Sequence, residues 1–204
     1  MSNTSATGGY LVPASAGAEF NDAALTDFLQ GVVVGVTGIP GDLVLPRWQP
    51  NPPNLPDANS TGITWASIGV IARTPDDYSY VRHTPAQGVS PVVPGYDTEY
   101  SNEIIEVLVS FYGPAAEQTA MQFARGLKIA QNREQMQLAG YALVNTDPLR
   151  NAPELVANQW LYRTDCGFRV RHQQQYVYPV LDLASAEAQV TPDGLPTSTV
   201  VIGE

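Results

Sequence analysis

The stretch "WLYRTDCGFRVRHQQ" from Trp160 to Gln174 keeps a period of two: Trp160, Tyr162, Thr164, Cys166, Phe168 and Val170 take alternate positions, and Arg163, Asp165, Arg169 and Arg171 fall between them. In a β-strand successive side chains point to opposite faces, so this segment demands an apolar layer on one side of a sheet and leaves a charged face on the other. "EIIEVLVSFYG" makes the same demand, with Ile105, Val107, Val109 and Phe111 pointing one way and Glu106 and Ser110 the other. Gly113-Pro114 stops that strand.

The covering layer is expected from helices. "NDAALTDFLQGVV" opens on an Asn21/Asp22 cap and spaces Ala24, Leu25, Phe28, Leu29 and Val32 as a short amphipathic helix. Pro114 suits a first helical turn, and Ala116, Ala120, Phe123, Ala124, Leu127 and Ala130 keep one face apolar beyond it, with Glu117 near the positive end. A further piece, "REQMQLAG", ends at a Gly140 cap.

Between the helices, Pro40, Pro46, Pro50, Pro52, Pro53 and Pro56 predict an extended connection with little sheet pairing. "ITWASIGVIA" then reads as a strand, Thr74-Pro75-Asp76-Asp77 as a turn, and "YSYVRH" with "GYDTEYSN" as a polar hairpin or long loop. After the main helix come a short strand "YALVNT", a turn "DPLRNAPEL" and the long strand from Trp160 into "QQQYVYPVLDL". Helix, strands, helix, strands is the order of an α+β domain with helices packed on a mainly antiparallel sheet. One domain over residues 21–182 is expected, flanked by small-residue and proline-bearing arms at 1–20 and 183–204.

A net charge of −10 argues against a protein that grips a phosphate backbone, because such affinity comes mainly from Lys and Arg displacing counterions. Charged residues make up 15% of the chain against about a quarter in most proteins, which suits a surface covered by neighbours. No basic, apolar leader and no bilayer-length apolar run is read, so a protein that is intracellular or assembles from intracellular parts is expected. Cys166 is the one cysteine, so there is no internal disulfide, and its place on the apolar face predicts burial over reactivity.

Chemistry is hard to find. Gly31, Gly35, Gly38 and Gly41 match no phosphate-binding fingerprint and read as a hinge-like loop, and no Gly-x-Ser-x-Gly elbow occurs. His83 and His172 stand apart from each other and from Cys166, so a surface or interface role is favoured over metal binding. Asp76, Asp77, Asp97, Glu99 and Glu103 gather around turns and tyrosines, the pattern of solvated loop charge. No catalytic residue, cofactor or metal is expected. Two readings stay open for Arg163, Arg169 and Arg171: a solvated face balanced by Asp165 and Glu106, or a contact with the acidic side of another copy, with Asp97, Glu99 and Glu103 as candidate counterparts.

Three blocks, "LVLPRWQPNPPNLPDANSTGITWASIGV", "EIIEVLVSFYGPAAEQTA" and "ALVNTDPLRNAPELVANQWLYRTDCGFRVRHQQQYVYPV", resemble in order and pattern the neck or tail terminator proteins of tailed bacteriophages. The shared signs are a Pro-rich entry to the first strand, a Tyr-Gly-Pro turn before the main helix, and an Asp-Pro-x-Arg turn before a Trp- and Arg-bearing hairpin, over roughly residues 20–182. The resemblance implies a structural virion protein made in the host cytoplasm: a neck ring, usually a hexamer, that ends the tail tube and joins it to the head-side connector. Its implied partners are its own copies, the connector, the tube and a sheath protein, with DNA passing through unbound. It implies no membrane. Rival readings are a tail-tube or head-completion protein, or a carbohydrate or small-ligand module stacking on Trp48, Trp65 or Trp160.

Overall fold

The computed structural model describes residues 8–16, 22–48, 62–75, 78–87, 94–156, 158–181, 185–190 and 198–203. In chain order these form β1 (Ser15–Ala16), α1 (Asp22–Thr37), a 3-10 turn (Gly41–Leu43), β2 (Val44–Pro46), β3 (Trp65–Pro75), β4 (Tyr80–Thr84), β5 (Tyr96–Tyr112), α2 (Ala116–Gly126), α3 (Ala130–Leu138) and β6 (Tyr141–Thr146). Then follow β7 (Arg150–Asn151), β8 (Glu154–Val156), β9 (Gln159–Leu161), β10 (Arg163–Pro179), β11 (Ser185–Val190) and β12 (Ser198–Gly203). The class is the expected α+β with a mostly antiparallel sheet. Two compact units divide the chain: residues 18–79 with 101–174, and residues 1–17 with 80–100 and 175–204.

In the larger unit the strand order is β10-β5-β3-β2, with β6 and β7 also paired to β10. Register sets Phe111 of β5 opposite Ala66 of β3 and Val109 opposite Ile68, so the alternating apolar sets meet on one face. Over that face lie Leu25, Leu29 and Val33 of α1, Ala116, Ala120 and Phe123 of α2, and Met136 of α3, all buried with Cys166, Phe168 and Val170 of β10. Phe123 sits between the strands' aromatics, its ring centroid 5.6 Å from Phe111 and 5.7 Å from Phe168.

The Tyr-Gly-Pro turn has a steric cause. Gly113 adopts φ +98°, a left-handed conformation, and a Cβ there would stand 2.2 Å from the Ile63 carbonyl oxygen. Beyond it, Ala115 N–H donates to Thr64 Oγ1 and Ala116 N–H to the Gly113 carbonyl, which begins α2. Gln122 of α2 donates to the Val36 and Thr37 carbonyls, satisfying acceptors left open at the end of α1.

Several expectations are corrected. α1 runs through Gly31 and Gly35 to Thr37, where a hinge-like loop was expected, because burial of Leu25, Leu29 and Val33 outweighs the poor helix propensity of the glycines and valines. The apolar face after Pro114 is split into α2 and α3 by a turn at Leu127–Ile129, where Lys128 and Ile129 donate to the Arg125 and Gly126 carbonyls and Asn132 caps the Gly126 carbonyl. The proline segment does pair: Val44–Pro46 lies parallel to Ala66–Ile68, an edge position where the N–H that Pro46 lacks is not needed. Pro50, Pro52, Pro53, Pro56, Asn21, Asp76 and Asp77 lie outside the described residues.

In the smaller unit the polar hairpin is an antiparallel pair of β4 and β5, from Tyr80 opposite Tyr100 to Thr84 opposite Tyr96, with the Tyr80 and Tyr100 rings stacked at 4.8 Å. β1 pairs antiparallel with β10 at Val177 and Tyr176, and within the carboxy-terminal arm β11 and β12 form a hairpin of their own.

Candidate subunit-contact surface

Opposite the helices, the sheet of the larger unit presents the charged positions of β10 and β5. Arg163 and Asp165 are two apart on one strand face, and the guanidinium reaches the carboxylate with both Nε (2.7 Å) and Nη2 (2.9 Å). Arg163 also donates to Glu154 of β8, and Asp165 accepts from Ser110 of β5, which in turn accepts from Arg47 just past β2. This chain of partners ties four separate segments together. Burial works against the charge of Arg163, but its hydrogen bonds to Asp165 and Glu154 outweigh that and hold its pKa above the ordinary arginine value. Arg47 donates to the neutral Ser110 hydroxyl, and burial lowers its pKa. Burial raises the pKa of Tyr112, whose ring lies under the Arg163 guanidinium at 5.7 Å.

Arg169 donates to Glu106 at 2.7 Å and lies 3.7 Å from Asp147, the aspartate of the Asp-Pro turn. That turn is fixed by Asp147 N–H donating to the Gly167 carbonyl and brings Arg150–Asn151 back alongside Thr164 and Asp165. Arg171 is exposed on the same strand face. Glu103 receives a hydrogen bond from Gln174 and lies 3.5 Å from His172 and 3.9 Å from Arg73. Asp97 and Glu99 belong to the smaller unit, where Asp97 meets His83 at 2.7 Å and Glu99 accepts from Tyr178 at 3.3 Å.

Arg163 and Arg169 thus meet the carboxylates named from the sequence, Asp165 and Glu106, as the balanced-face reading expects. Ser110, Glu154, Asp147 and Arg47 were not anticipated in this role, since only the tertiary pairing brings them near. Of the tryptophans, Trp65 is buried and stacked on Tyr112 at 4.0 Å, while Trp48 and Trp160 are 70% and 65% exposed. Leu155, directly opposite Trp160 in the β8–β9 hairpin, is 60% exposed, and Tyr162 is 67% exposed. Cys166 is fully buried, and burial and the nearby Asp147 push its thiol pKa up to about 11. Among the described residues no three of His, Cys, Asp and Glu cluster in a way that could hold a metal ion, and no helix is long and apolar enough to cross a membrane.

A search among curated proteins found no match. The family profile described as phage neck terminator protein matches residues 23–194, which takes in α1 from its second residue, α2, α3 and the strands β2 through β11, and leaves out β1. On that match over most of its length, the chain belongs to the phage neck terminator family, a family of structural proteins of the bacteriophage neck.

Proposed function

We propose that copies of this chain close into a ring, six in number, that ends the tail tube and joins it to the head-side connector, with DNA passing through the lumen. The family match over residues 23–194 carries the reading. Charge supports it: at −10 the chain repels phosphate rather than holding it, as a passage for DNA requires. In this reading residues 21–182 form the ring-building domain, and the arms at 1–20 and 183–204 reach neighbouring components.

The contacts between copies use Arg163, Arg169 and Arg171 on one side and the Asp97, Glu99 and Glu103 strand on the other. Exposed Leu155, Trp160 and Tyr162 adjoin the arginine strand in sequence and supply apolar area beside those charges. Mass measurement and negative-stain imaging of the protein, with immunodetection in purified virions, test this. Annular particles and presence in virions are expected. Absence from virions rejects the neck role, and rings stacked as a repeating column favour a tube protein.

A further inference from the structure

The strongest unexplained feature is the pair Arg47-Trp48 at the exit of β2. Trp48 has φ +57°, a left-handed conformation that is a genuine outlier for a bulky aromatic residue, yet its indole is 70% exposed. Beside it, Arg47 Nε is buried with no hydrogen-bond partner. Both costs fall on adjacent residues that the fold holds firmly: Arg47 N–H donates to the Ile68 carbonyl at 2.8 Å, and the guanidinium is tied through Ser110 to Asp165. Gly69 leaves the room they occupy, since a Cβ at that position would stand 2.9 Å from both Arg47 Cβ and Trp48 Cζ3. The result is a surface groove of about 390 Å³ walled by Trp48, Ile68 and Val70 and by two arginines, Arg47 and Arg73. Local strain retained around an exposed aromatic is a mark of a functional contact.

We infer that this Trp48 groove is a docking site for a second copy of the chain, with the indole as the apolar anchor and Arg73, whose side chain is 36% exposed, facing acidic groups of the sister subunit. Charge complementarity selects the occupant: the groove carries two of the ten Lys and Arg, while the chain carries twenty Asp and Glu, so a sister offers it a predominantly acidic surface. Trp and Arg are also the residue types that dominate association energy at interfaces. The inference rests on the ring reading and adds a contact that no sequence pattern indicated.

The test compares the full-length protein with Trp48→Ala and Trp48→Gly by mass photometry across concentration and by thermal unfolding. Glycine relieves the left-handed conformation, so Trp48→Gly is expected to melt at or above the wild-type temperature while both variants associate at least tenfold more weakly. A purely structural role for Trp48 would instead lower the melting temperature. In the wild type, iodide quenching of Trp48, taken as the difference from Trp48→Phe, is expected to fall on assembly. If the wild type assembles and the variants assemble equally well, or Trp48 stays as quenchable in the assembly, the docking site is rejected and the ring stands. A wild type that never assembles rejects both.

Discussion

Single residues show how much of the charged sheet face is internal structure. Asp165 accepts from Ser110 and from two nitrogens of Arg163, and Ser110 is fully buried. Asp165→Ala removes the acceptor from both, and a loss of about 1–3 kcal/mol is expected, read as a lower melting temperature. An unchanged melting temperature would show that the network contributes nothing. The buried Cys166 thiol and Tyr141 hydroxyl give a pH dependence of defined sign. Burial raises Cys166 from 9.0 to about 11 and, aided by Glu103 and opposed by Arg73, raises Tyr141 from 10.0 to about 12. Below these ordinary values folded and unfolded chains hold the protons alike and the stabilisation is complete. As pH climbs from about 9 towards 12 the unfolded chain releases them first, so stability falls with pH. Alkaline titration of the melting temperature checks this, and thiol reagents at pH 8 are expected to label Cys166 only after unfolding.

At the scale of elements, Phe123 is the joint between α2 and the two central strands. Phe123→Ala is expected to cost about 3–5 kcal/mol in denaturant unfolding, since the cavity would open between Phe111 and Phe168. Gly113→Ala is expected to be comparably damaging, because the new Cβ would collide with backbone rather than with a side chain that can turn aside. The strands were legible in the sequence where alternation reports burial: Ile105, Val107, Val109 and Phe111, and Thr164, Cys166, Phe168 and Val170, all lie inside. Alternation misled at its start. Trp160 and Tyr162 keep the same period but stand exposed, because a break at Tyr162 separates β9 from β10 and a period of two cannot register it. Likewise the 17-residue β5 begins at Tyr96, well before its apolar run, since the Tyr96–Tyr100 part pairs with a polar β4 and buries little. The parallel β2 and the Arg47–Ser110–Asp165 link were hidden for a different reason: both depend on contacts between distant segments that carry no local periodicity.

For the whole molecule, an internally balanced face and an interface between copies are compatible, since Arg169 is 37% exposed in its side chain while paired to Glu106. Arg169→Glu would set like charge against Glu106 and Asp147 and against any acidic sister surface. Assembly is expected to weaken and its salt dependence to change, with the monomer still folded by circular dichroism and a smaller effect from Arg171→Glu. Unchanged assembly at modest salt would remove these arginines from the contact. The proposed role makes the chain a self-associating joint at the neck. A focused electron-microscopy reconstruction of the head–tail junction in particles carrying labelled protein tests it. One closed ring of rotationally related copies between connector and tube is the expected result. Label found along the tube, in the head or nowhere in the particle would contradict it.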